Sequence, residues 1–262
     1  MRDEHERRRA EVERRMGDAI TLDGLTGEWT ILQRKRGHRH STDDVLTAWY
    51  ALRHGPRTDR TLDLGAGIGT VGMLTLWGLG ERATLTAVEA QEVSFSLLVE
   101  NVAMNGLTHR VEAIFGDLRA QRFERPFSLV TGSPPYFDVS AGVVPDDSQK
   151  AHARFELRGT VRDYARAARA AIDEGDRDAR FVFCFPSAQR QRGFDAARAE
   201  GFSVVSACDV VPREGRAALI TLYACRVGSH PEAIEAPLVV RDDVGEHTEA
   251  LRAVRRGFGF AV

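Results

Sequence analysis

Short apolar runs alternate with amphipathic stretches through most of the chain, a glycine-rich turn ends the first run, and the length suits one large domain. Together these predict a doubly wound, Rossmann-like α/β sheet of seven strands with helices on both faces. The chain has 262 residues, 43% apolar and 28% charged, proportions that exclude collagen, coiled coil and wholesale disorder. Its 36 basic and 38 acidic side chains leave a formal net charge of −2. That balance excludes a strongly basic body that coats nucleic acid, while leaving room for a local basic patch.

Residues 1–24 read as a charged extension, since 1–16 hold six arginines and five acids at helical spacing. That composition fits a solvated helix or a frayed arm. Residues 25–262 read as a single domain, which starts with a basic lead-in segment at 29–40, WTILQRKRGHRH. Ser41 and Asp44 are spaced as a capping box ahead of the apolar run VLTAWYAL. After His54-Gly55-Pro56, strands are expected near 60–64, 83–89, 110–115, 127–131, 180–185, 202–211 and 217–226. Helices are expected near 69–79, 91–104, 160–173 and 187–200, with the last two strands forming a hairpin. Residues 132–158 read as one long irregular loop, of the kind that serves as a functional lid or is partly disordered. Residues 228–262, with a short PLVV strand, read as an appendage on the same domain.

Cys184, Cys208 and Cys225 form no C-x-x-C pair and have no histidine at ligand spacing, so neither a disulfide framework nor a metal site is expected. The first 16 residues contain no apolar run, and no 18-residue apolar stretch follows. A cytoplasmic protein with no membrane partner is therefore expected, a monomer being favoured over an oligomer.

The first strand of the alternation runs into Asp63-Leu64-Gly65-Ala66-Gly67-Ile68-Gly69-Thr70. Glycines at 65, 67 and 69 permit a sharp turn and close approach of a ligand to the N-terminus of the next helix. The dinucleotide fingerprint requires Gly or Ala where Thr70 stands, and Asp63 would repel a pyrophosphate. The D-L-G-x-G-x-G string resembles the first motif of class I methyltransferases, which bind S-adenosylmethionine, a sulfonium with an α-amino group. Glu89, at the end of the next strand, suits the two ribose hydroxyls, or else serves as a helix N-terminal acid. The resemblance further implies that Asp117, after the third strand, meets the adenine amino group, with a plain N-cap as the alternative. Ala66, Ala90 and Leu118 complete the expected donor site.

The fourth strand leads into Gly132-Ser133-Pro134-Pro135-Tyr136-Phe137. This resembles the (D/N/S)PPY motif of methyltransferases that modify planar amino groups. An exocyclic amine is a poor nucleophile because its lone pair is delocalised into the ring. Two acceptors, the Ser133 hydroxyl and the Pro134 carbonyl, would orient its two N–H bonds, while Tyr136 stacks on the base, a contact of roughly 1–3 kcal/mol. Pro134 and Pro135 stiffen the turn, so that alignment rather than a general base supplies the acceleration. A base in nucleic acid would have to be presented unstacked.

With QRKRGHRHSTDDVLTAW, VEAQ, NVAMNGL, SPPYF and RDDVGEHTEA added, the chain resembles, from about Leu25 onward, the bacterial tRNA adenine-N6 methyltransferases that act on adenine 37 of a valine tRNA. The resemblance implies S-adenosylmethionine as donor and tRNA as partner. It makes Arg34, Lys35, Arg36 and Arg39 docking candidates, with a solvated basic face as the alternative, and adds Phe137 and Arg154 as substrate contacts. Three departures stand out: Ser133 where the family usually has Asn, Arg154-Phe155-Glu156 where relatives often read R-H-E, and the arginine-rich start. They leave open another planar amine as acceptor (cytosine N4, a protein glutamine or a small molecule), or a donor-binding RNA module without transfer.

Overall fold

The computed structural model describes residues 2–137, 147–157 and 159–261. Helix α1 (Arg2–Met16) is followed by strands β1 (Ile20–Gly24) and β2 (Thr30–Arg34) and by helix α2 (Thr42–His54). Strand and helix then alternate through β3 (Arg60–Leu64), α3 (Thr70–Leu79), β4 (Thr84–Glu89), α4 (Glu92–Met104), β5 (Val111–Phe115) and β6 (Leu129–Gly132). Next come α5 (Ser148–Arg154), α6 (Val161–Ala171), β7 (Arg180–Pro186) and α7 (Arg190–Ala199). The order is completed by β8 (Phe202–Val211), β9 (Ile220–Val227), β10 (Leu238–Val239) and α8 (Glu249–Gly257).

The main sheet runs β10-β8-β9-β7-β6-β3-β4-β5. Strands β3 to β7 are mutually parallel, and β9 is antiparallel to both β7 and β8. All seven expected strands are present, with the expected hairpin. The eighth is the two-residue β10 of the tail, which adds in parallel beside β8. Helices cover both faces, as expected for parallel strands, and the side chains of β7 alternate accordingly. Phe181, Phe183 and Phe185 pack with Tyr164, Ala168 and Phe194 of α6 and α7. Val182 and Cys184 face the other way, into the core to which Leu46 of α2, Leu74 of α3 and Leu98 of α4 also belong.

Three parts differ from the sequence expectation. Residues 20–34 form a separate antiparallel hairpin, with Leu22 opposite Leu32. Its strands are too short and too polar for periodicity to mark them. The charged start is an ordered helix with Val12 fully buried. It is fastened by Glu100, which pairs with Arg8 at 2.6 Å and Arg15 at 2.5 Å. Within the supposed loop 132–158 lies the two-turn helix α5, whose N-cap Asp147 accepts from the Lys150 amide at 2.9 Å. Its lone capping acid sits among polar neighbours, with no apolar stripe to announce a helix.

Candidate active site

Register brings the two sequence motifs together. Leu64 of β3 pairs with Gly132 of β6, so the glycine turn and the Ser133 turn leave the sheet side by side at its C-terminal edge. Strand order reverses at this pair, the position where open α/β sheets bind ligands. Leu64 also pairs with Val88, just before Glu89, and Glu89 pairs with Phe115, just before Gly116. Four strand ends thus open onto one cleft, which has about 950 Å³ of empty space including its mouth.

The glycine turn has a geometric reason at each of two positions. Gly65 has φ +63°, and a Cβ there would stand 2.1 Å from the Tyr164 hydroxyl. Gly67 has φ +58° with no heavy atom within 4 Å of a Cβ, so its backbone borders open space. Glu89 ties the turn to its own strand end: one carboxylate oxygen accepts from the Gly67 amide at 2.7 Å, the other from the Gln91 amide at 2.6 Å. Asp63 is 1% exposed and accepts from the Gly72 amide at 2.9 Å and the Thr131 hydroxyl at 2.8 Å. Gly69, the N-cap of α3, has no side chain to offer, so Asp63 performs the capping from the neighbouring strand. Burial pushes the Asp63 carboxyl up to about 6 against those hydrogen bonds.

Asp44 lines the cleft beside Asp63 and Glu89. It closes the capping box expected from the sequence by accepting from the Ser41 amide at 2.9 Å. Burial pushes it up to about 7. His38 and His40 line the cleft as well, burial holding His40 below the ordinary histidine range. Among the described residues no lysine or arginine lines the cleft. Three carboxylates gathered in one wall suit a positively charged ligand and disfavour a pyrophosphate. Asp117 turns its carboxylate to Arg119 at 2.5 Å, and its neighbours Gly116 and Leu118 face the cleft instead. Ala66 and Ala90 are also in the wall, while Gly69 is packed against Leu98 behind it.

Ser133 and Pro135 line the same cleft. Ser133 Oγ accepts from Cys184 Sγ at 3.8 Å, because Gly132 pairs with Phe183 and so sets Cys184 next to Ser133. The Tyr136 ring is half-buried and meets Phe185 edge-on at 6.3 Å. Its hydroxyl points inward, donating to Asp43 at 3.2 Å and lying 3.5 Å from Cys184 Sγ. Burial and the neighbouring Asp43 and Cys184 hold that phenol well above its ordinary range. Among the described residues no donor reaches the Pro134 carbonyl, whereas the carbonyl of Tyr136 accepts from Gln189 and that of Phe137 from the Glu156 amide.

The basic segment divides. Arg34 is paired with Asp18 and, at 2.8 Å, with Asp147. Arg39 is paired with Asp23 at 3.1 Å and donates to Thr21 at 2.8 Å. Lys35 and Arg36 are exposed on the turn between them. Phe137 is exposed and lies 5.7 Å from Phe155, ring to ring. Arg154 ends α5, and its side chain lies outside the described residues.

Sequence reasoning missed Tyr164, Gln149 and His40 as parts of the wall, and read Asp44 only as a cap. Tyr164 has no sequence signal, because its role arises from filling the space left by Gly65, just after β3, and Gly132 of β6: Cβ atoms at both would strike its ring or hydroxyl. Gln149 is 1% exposed and reaches Ser94 at 3.2 Å from inside the supposed loop.

A parallel sheet with an antiparallel β7-β9-β8 edge, an acid-lined cleft at its switch point and a Pro-Pro turn on the cleft wall define a class I methyltransferase that takes S-adenosylmethionine as methyl donor. Comparison with known proteins agrees, residues 48–152 matching the methyltransferase small domain family. A protein of Actinobacillus pleuropneumoniae serotype 7 named tRNA1(Val) (adenine(37)-N6)-methyltransferase is 23% identical over 88% of this chain and 94% of its own length. A protein of Dickeya chrysanthemi with the same name is 27% identical over 89% of this chain and 94% of its own length. Among solved structures, a predicted O-methyltransferase from Agrobacterium tumefaciens shares the fold with a TM-score of 0.63 at 21% identity, over 82% of this chain and 96% of that one. Among the described residues no cluster of His, Cys, Asp or Glu could hold a metal ion, and no helix is long and apolar enough to cross a membrane.

Proposed function

We propose that this protein methylates the N6 amino group of adenine 37 in a valine tRNA. The observation that carries the reading is the Ser133-Pro134-Pro135-Tyr136 turn, one strand away from the glycine turn on the wall of the acid-lined cleft. The names of relatives that align along nearly the whole chain supply the RNA and the base.

In this reading Glu89 faces the ribose of the donor, with Gly65, Ala66 and Gly67 against its backbone side, Leu118 and Ala90 by the adenine end, and Asp44 and Asp63 toward its cationic end. S-adenosylmethionine supplies, when bound, an electrophilic methyl group on a sulfonium that departs as a neutral thioether. Ser133 Oγ and the open Pro134 carbonyl accept the two N–H bonds of the target amine and turn its lone pair toward the donor cleft. Tyr136 stacks on the flipped base while Asp43 holds its hydroxyl. The stiff Pro-Pro segment has these acceptors in place before the substrate arrives, so catalysis rests on alignment and preorganisation. The proton released from the methylated nitrogen passes to solvent. Lys35 and Arg36 are the exposed cations offered to the RNA backbone. Arg34 and Arg39, tied into ion pairs, support the segment that carries them.

The test is incubation of unmodified valine tRNA with the protein and methyl-labelled donor, followed by mass spectrometry of the nucleosides. N6-methyladenosine is the expected product, and mass spectrometry of ribonuclease fragments of the same tRNA should place it next to the anticodon. Ser133 favours one second reading, transfer to a cytosine N4, which the same measurement would reveal as N4-methylcytidine. Donor binding without any methylated nucleoside from a complete tRNA pool would reject both.

A further inference from the structure

Outside the Ser-Pro-Pro-Tyr motif, three side chains close a hydrogen-bond circuit on the acceptor turn. Gln189, in the turn after β7, donates from Nε2 to the Tyr136 carbonyl at 2.8 Å. Its Oε1 accepts from Arg192 of α7 at 3.1 Å. Arg192 also donates to Glu156 at 2.5 Å, and the Glu156 amide donates to the Phe137 carbonyl at 2.9 Å. The circuit therefore starts and ends on consecutive carbonyls of the turn. We propose that Glu156, Arg192 and Gln189 are positioning residues that set the acceptor turn for transfer, an inference that rests on the reading of that turn given above.

The polarity of the circuit runs one way. Arginine has donors only, so Arg192 obliges Gln189 to present its carbonyl to the guanidinium and hence its NH2 to Tyr136. Glu156 in turn fixes Arg192. Its side chain is 4% exposed, and a carboxylate so buried is tolerated only when paired. The Arg192 guanidinium also lies 5.6 Å over the Phe185 ring, whose neighbour edge-on is Tyr136 itself. One buried acid thus acts on the turn twice, through an amide and through an aromatic buttress. With the Tyr136 and Phe137 carbonyls both occupied, the carbonyls a substrate amine can meet lie earlier in the turn, Pro134 among them.

The decisive variant is Gln189→Glu. It conserves shape and keeps or strengthens the contact with Arg192, but it has no donor for the Tyr136 carbonyl. A merely structural role predicts unchanged kcat. The proposal predicts a fall in kcat of about tenfold or more, the usual order for a displaced reacting group, with melting temperature and donor affinity unchanged. Gln189→Ala should fall as far, and Glu156→Gln combined with Gln189→Glu should be no worse than Gln189→Glu alone. Fluorotyrosine labelling of the four tyrosines, assigned with Tyr136→Phe, gives a second readout that needs no acceptor. The Tyr136 fluorine signal should shift or broaden in Gln189→Glu. Absence of methyl transfer by the unmodified protein would overturn the function and leave the fluorine result to judge the clamp. Wild-type kcat, or an unmoved Tyr136 signal, in Gln189→Glu would overturn the clamp.

Discussion

Gly67 borders the donor cleft with a left-handed backbone and empty space where a side chain would begin. Valine there would strain the backbone and stand in the cleft. Gly67→Val is therefore expected to abolish donor binding in a calorimetric titration while the protein stays folded. Tyr136→Ala works on the other half of the site, and should abolish turnover while changing donor affinity less than about threefold, under 1 kcal/mol. Equal loss of donor binding in the two variants would mean that the acceptor turn has been misplaced. The acids have a pH signature. Asp63, pushed up to about 6, and Asp44, pushed up to about 7, hold protons below those values in the free protein. A bound cation favours their ionised forms, lowers both values and expels protons. Donor affinity should accordingly rise as pH climbs through about 6 to about 7 and level off above, and Asp44→Asn should flatten the upper part of that rise.

At the scale of elements, α2 joins the two halves of the site: Asp44 in its first turn lines the donor cleft, and Asp43 beside it holds the Tyr136 hydroxyl. Its capping box fixes where that turn begins. Ser41→Ala should cost about 1 kcal/mol of stability in a denaturant titration. This helix start was legible in the sequence, as were the strands and helices of the alternation, because each has an apolar period and clear breakers. The glycine turn and the Pro-Pro turn were legible because rare residue types occupy fixed places after strands. What was hidden depends on pairing across distance. Nothing local distinguishes Arg34 and Arg39, consumed by Asp18, Asp147 and Asp23, from Lys35 and Arg36, which remain exposed. Likewise nothing local marks the Gly72 amide and the Thr131 hydroxyl as the groups that hold Asp63 in the cleft wall. Helix α5, only seven residues long, lacked an apolar period, so its span was read as loop.

Over the whole molecule, the near-zero net charge averages ion pairs spread over many elements, three acids in the cleft wall and the exposed Lys35 and Arg36 on the turn after β2. Replacing Lys35 and Arg36 together by alanine should weaken tRNA binding across sequences and reduce the slope of log affinity against log salt by about one to two, without altering donor affinity. Arg39→Ala should lower the melting temperature instead. The charged first helix belongs to the folded body through Val12 and the double pairing of Glu100. Glu100→Ala is expected to raise hydrogen exchange in residues 3–16 while leaving the cleft protected.

The pairing of Leu64 with Gly132 sets more than proximity. Donor turn and acceptor turn are anchored on adjacent strands, whose separation in any β-sheet is about 4.8 Å. The distance between the two turns is thus inherited from the spacing of backbone hydrogen bonds, which side-chain substitutions barely alter. Sequence drift in loops and helices can reshape the rest of the cleft wall without disturbing that ruler. A one-residue slip between β3 and β6 would destroy the reaction even if every side chain named here were kept.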